Sequence, residues 1–153
     1  MRLEQVQEYK RLIYDAQMIE MDISSLMEEY NLACQPLYIP GMPLDRIPGG
    51  SWPSDRAGNM AVRMADGSPP EKALPLLYAI RAKEKALAAK KRSIKTIETW
   101  LSMLPEREKW VVMNHIIENT PWRLLIYKYR CAYGEVISID TLKRLQHKAF
   151  EKG

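Results

Sequence analysis

Ile139, Thr141, Lys143, Arg144 and Lys148 crowd the end of the chain and are the side chains best suited to chemistry. Arginine and lysine donate hydrogen bonds to guanine O6 and N7 or to phosphate oxygens, and threonine meets a thymine methyl or a phosphate. Ser138 is placed to cap a helix whose first turn holds Asp140 and Thr141. Leu142, Leu145 and Ala149 recur at i, i+3 and i+7, which predicts a buried side. Lys143, Arg144, His147 and Lys148 then fall largely on the opposite side. A charge run alone is ordinarily a solvated face on a terminal helix, and only the neighbouring helices bring the nucleic-acid reading level with it.

Two further helices are expected to position this one. Pro105 suits a first helical turn, and Glu106 and Glu108 place negative charge at the positive end of the helix dipole. Trp110, Val111, Met113, Ile116 and Ile117 then form an apolar stripe at helical spacing. Thr120 is the expected N-cap of the next helix, with Pro121 at its first position. That helix carries Trp122, Leu125, Ile126 and Tyr129, and Gly134 can take the positive φ of its end. Arg123, Lys128 and Arg130 on it are candidates for contact with a nucleic-acid backbone. Three short helices ending in a basic one outline a helix-turn-helix.

The order of these residues resembles sigma-factor region 4-like domains. It is most similar to those of phage-encoded late-transcription regulators of the RinA/ArpU type. Leu104, Pro105, Arg107, Val111, Ile116, Trp122, Ser138, Thr141, Leu142, Arg144, Ala149, Glu151 and Lys152 carry the resemblance, which covers about the last third of the chain. It implies a promoter-binding protein that engages double-stranded DNA and the host RNA polymerase and activates late genes, such as those for DNA packaging. One departure stands out. Trp122 and Ser138 lie 16 positions apart, more than the pattern has, with Arg130 to Val136 as the extra segment. Either the supporting helix is longer or the turn has become a loop.

Nothing in the chain forms a catalytic constellation, so no enzymatic activity is expected. The 153 residues include only two histidines, His115 and His147, and no zincin, P-loop, nucleophile-elbow or dinucleotide motif is present. Cys34 and Cys131 have no metal-ligand spacing and are expected to be reduced thiols. No cofactor or metal is expected. The absence of a long apolar run and of a signal-peptide pattern predicts a cytoplasmic protein with no membrane partner. Charge is uneven: residues 1–69 hold 6 Lys/Arg and 10 Asp/Glu, a net −4, whereas residues 70–153 hold 17 and 9, a net +8. A basic second half suits a polyanion.

Upstream of Leu104 the pattern predicts a long antiparallel helical hairpin, in an all-α chain. Tyr9, Leu12, Ala16, Ile19, Ile23, Leu26 and Tyr30 form a heptad seam within a helix expected from Leu3 to about Gln35. Ile80, Leu87, Ile94 and Leu101 recur every seven residues in a second, with Ile97 and Leu104 filling the complementary seam positions late and Lys83 and Lys90 early. Pro69 and Pro70 are expected to open that helix after Ser68, with Pro75 marking either a kink or a later start. Residues 36–70 form a Pro/Gly-rich connection, with a short helix expected from Ser54 or Asp55 to Met64 and with Leu37, Tyr38, Ile39, Ile47 and Trp52 expected in part to pack on the helices.

Two domains are therefore expected. Residues 1–103 would serve oligomerisation or partner binding, and residues 104–153 would bind DNA. Apolar surface left over on the long helices suits a homodimer, which doubles a DNA half-site interface. Trp100, Trp110 and Trp122 are expected in the core. Two other roles fit the same layout: a small terminase subunit that binds viral DNA for packaging, and a helical protein-interaction module without DNA binding.

Overall fold

The computed structural model describes residues 1–35 and 67–151, and these are all-α. The short helix expected between Ser54 and Met64, the packing of Leu37 to Trp52, and Lys152 lie outside the described residues. The helices are α1 (Leu3–Gln7), α2 (Tyr9–Cys34), α3 (Leu74–Met103), α4 (Glu106–Val111), α5 (Trp122–Tyr133) and α6 (Ile139–Glu151). A 3-10 turn, Glu71–Ala73, precedes α3, and a π-helical segment, Val112–Ile117, follows α4. Two compact units are present: Met1–Met18 with Leu87–Gly153, and Ile19–Ala86.

In the first unit, α1 begins where the Gln5 side chain accepts a 3.1 Å hydrogen bond from the Arg2 N–H. The single long helix expected from Leu3 is interrupted at Glu8, where ψ is −6° and α1 ends. The first turns of α2 run antiparallel to the last turns of α3. Tyr9 donates to Glu98 at 3.0 Å, and Lys90 Nζ lies 2.8 Å from Asp15 Oδ2. Lys90 is one of the two lysines that interrupt the apolar seam of α3, and the acidic helix supplies its counter-charge.

Two core clusters fill this unit. One joins Val6, Ile97, Trp100, Leu101, Leu104, Val112, Ile117 and Ala149. The other is built from Val111, Leu125, Tyr129 and Leu142. The first cluster takes residues from α1, α3, the π-helical segment and α6. The boundary expected after residue 103 therefore passes through a shared core. Fully burying a side chain of this kind contributes roughly 1.5–3 kcal/mol, so these contacts bind the helix ends to the C-terminal helices.

In the second unit, the later turns of α2 run antiparallel to the start of α3, with Lys83 Nζ 2.7 Å from Asp22 Oδ2. The seam residues Ile19, Ile23, Leu26 and Tyr30 are half-buried, and Ile80 is buried. The second long helix takes the later start that Pro75 left open, and only the cap differs from that expected. Pro70, not Ser68, occupies the N-cap of the 3-10 turn, and α3 begins at Leu74. Pro75 thus sits in the first turn, where a missing N–H costs no intrahelical bond.

Candidate nucleic-acid interface

The C-terminal helices begin on a proline. Pro105 is the N-cap of α4 and not a residue of its first turn, with its carbonyl accepting from the Lys109 N–H at 2.9 Å. The expected single helix to Ile117 instead widens into π-helical turns, in which the Glu118 N–H donates to the Met113 carbonyl at 2.9 Å. Asn119 follows with φ +53°, a left-handed value that asparagine tolerates better than most residues. Widened turns rotate successive side chains through a smaller angle than an α-helix does. Trp110, Met113 and Ile116 are half-buried along this stretch, and Val111, Val112 and Ile117 are buried.

Thr120 does not cap the next helix. Pro121 occupies the N-cap position of α5, and Thr120 is buried in the junction before it. Its N–H donates to the Asn114 carbonyl at 3.0 Å. Its carbonyl oxygen lies 2.8 Å from His115 Nδ1, which therefore carries the proton. His115 also lies against Trp122, with ring centroids 3.7 Å apart. Lys128 Nζ donates to Thr120 Oγ1 at 3.3 Å, so this candidate backbone contact turns toward the junction.

The extra segment between Trp122 and Ser138 lengthens the supporting helix. Arg130 to Tyr133 form the last turn of α5, and Gly134 closes it at φ +68° with its N–H donating to the Arg130 carbonyl at 2.8 Å. The remaining turn is held down at both ends. Arg107 on α4 donates to Glu135 at 3.0 Å and lies 5.7 Å from the Tyr133 ring centroid. That hydrogen bond and the carboxylate charge hold the Arg107 pKa above its ordinary value. Ile137 packs into the cluster around Leu125. Ser138 then caps α6 as expected, its Oγ accepting from the Thr141 N–H at 3.3 Å.

Helix α6 buries Leu142 and Ala149 completely. Thr141, Lys143, Arg144 and Lys148 are exposed, and Ile139 is half-buried. The structure divides these candidates into two sets. Thr141, Arg144 and Lys148 follow spacings of three and four along one stripe of the helix. Ile139 and Lys143, one turn apart, instead border an open groove of about 640 Å³ shared with Trp122, Arg123, Leu124 and Tyr127 of α5. Arg123 thus joins α6 at the groove, and the exposed Arg130 lies seven residues further along the same side of α5. Two carboxylates of the region are paired elsewhere, Glu135 with Arg107 and Glu151 with His147 at 3.0 Å.

Leu124 and Tyr127 are the groove residues that sequence reasoning missed. They are 48% and 68% exposed, apolar groups outside the buried stripe of α5. That mismatch was the available signal, since Trp122, Leu125, Ile126 and Tyr129 already fill the inward positions. Among the described residues, no group of His, Cys, Asp or Glu side chains is arranged to hold a metal ion, and no helix is long and apolar enough to cross a membrane. Compared with known proteins, the chain matches no family model, no curated protein and no solved structure.

Proposed function

We propose that this chain is a sequence-specific DNA-binding regulator of phage or prophage transcription, an activator of late genes working in the cytoplasm of a bacterial host. In this reading α5 and α6 are the two helices of a helix-turn-helix, and α6 enters the major groove. The observation that carries the proposal is the sidedness of α6. Leu142 and Ala149 are wholly buried while Thr141, Lys143, Arg144 and Lys148 face solvent. A basic helix clamped by its apolar side and clear on the other presents donors to phosphates and base edges together. Engagement of the host RNA polymerase and the activation of late genes rest on the resemblance of the last third of the chain to late-transcription regulators. Exposed Met21, Met27 and Leu32 on α2 supply apolar surface for a homodimer.

Selective enrichment of random duplex DNA by the purified protein tests the proposal. A recovered motif is expected, with an affinity that falls steeply as salt rises. Arg144→Ala is expected to weaken binding to that motif by roughly 5- to 150-fold, the effect of losing one base-edge pairing. Recovery of no motif overturns the proposal.

A further inference from the structure

We infer that the groove between α5 and the first turn of α6 is a thymine-reading pocket, in which Leu124, Tyr127 and Ile139 receive C5-methyl groups in the major groove while Arg123 and Lys143 hold the adjacent phosphates. The inference rests on the DNA-binding reading above and adds a base preference to it. Three observations lead there. The groove surface is dominated by carbon, and Leu124 and Tyr127 stand open to solvent within it. Its charged lining is entirely cationic, Arg123 on one wall and Lys143 on the other, with no carboxylate among the lining side chains. It also lies at the N-terminal end of α6, the end that approaches base edges when such a helix enters the major groove.

The pairing of these features selects the occupant. An apolar floor alone would suit many ligands, but a polyanion with methyl groups along its edge matches both the floor and the walls. Duplex DNA has that chemistry: thymine is the base that presents a methyl in the major groove, and phosphates flank it on each strand. Lys143 is shared between the groove and the exposed basic surface of α6, so one duplex would cover both without a second binding surface. The purely polar base contacts open to Arg144 would read guanine, whereas Ile139, five residues earlier, has no donor and can contribute only apolar contact.

The test uses the full chain and a duplex recovered by enrichment, compared with the same duplex synthesised with deoxyuridine for thymidine. That exchange removes only the methyl groups. Binding is expected to weaken by roughly 4-fold for each methyl buried. Leu124→Ala and Ile139→Ala are each expected to bring the thymidine-to-deoxyuridine ratio toward one while the salt dependence persists. Leu124 is the safer variant because it is about half exposed and its removal opens no core. Equal affinity of the unaltered protein for both duplexes overturns the inference and leaves DNA binding standing. A ratio unchanged by both substitutions also overturns it. Failure to bind any duplex overturns it together with the reading on which it rests.

Discussion

Val111 and Val112 are adjacent in the chain, both are completely buried, and they belong to different core clusters. Val111 packs with Leu125, Tyr129 and Leu142 under the basic helix, and Val112 packs with α1 and the end of α3. The point at which α4 passes into π-helical turns is therefore the hinge between the two cores. Truncation on either side should be costly. Val111→Ala and Val112→Ala are each expected to destabilise the protein by about 1.5–3 kcal/mol, read as a lower midpoint in urea unfolding. Only Val111→Ala is expected to loosen α5, seen as faster amide exchange there, because α6 reaches both cores through Leu142 and Ala149.

Leu142 and Arg144 lie two residues apart on one helix, the first wholly buried and the second exposed. Leu142→Ala removes a fully buried side chain and is expected to cost about 2–5 kcal/mol. Arg144→Ala is expected to change stability by less than about 0.5 kcal/mol because the side chain is exposed. Thermal unfolding followed by circular dichroism distinguishes the two. A large loss of stability in Arg144→Ala would mean that this arginine is held by the scaffold.

Ser138 and Gly134 set the two ends of the turn before α6. Ser138→Ala deletes the oxygen that accepts from the Thr141 N–H and is expected to cost about 1 kcal/mol, with Ser138→Asp restoring most of it. Gly134→Ala meets no atom within 4 Å but forces a side chain onto φ +68°. Its expected cost of about 1 kcal/mol is conformational alone, and Gly134→Asn should cost less. Melting temperatures of the four variants check the ordering.

Asp15 supplies a pH dependence of known sign. The hydrogen bond from Lys90, together with its charge, holds the Asp15 pKa below the ordinary 3.8. The unfolded chain therefore binds this proton more readily than the folded one. The stability contributed is fully present above pH 3.8 and is lost as pH falls through the depressed folded value. Because the pair is partly exposed, the effect is small. Asp15→Asn is expected to flatten the acid limb of the stability profile measured by urea unfolding between pH 5 and pH 2, and an unchanged limb would show that the pair contributes nothing.

The all-α class, the seam positions and the sidedness of α6 were legible in the sequence because each follows from a repeat of polarity along a single helix. Tyr9, Leu12 and Ala16 turn away from solvent, as do Ile80 and Leu101, and Leu142 and Ala149 are buried opposite Lys143 and Arg144. Helix starts were less legible. Pro70, Pro105 and Pro121 stand one position outside the helices they introduce, because a proline's fixed φ suits the cap as well as the first turn.

Other features depended on contacts between elements. No local rule predicts that Val111 and Val112 serve separate cores, that Leu104 shares a core with Val6, or that Arg107 fastens the turn through Glu135. The groove is of the same kind. Arg123, Leu124 and Tyr127 are separated in sequence from Ile139 and Lys143, and only the packing of α5 against α6 gathers them around one opening. Periodicity along the chain determined which side of each helix is apolar. Tertiary structure decided which exposed side chains share a surface, because that depends on how two rigid helices are docked and not on the order of residues within either.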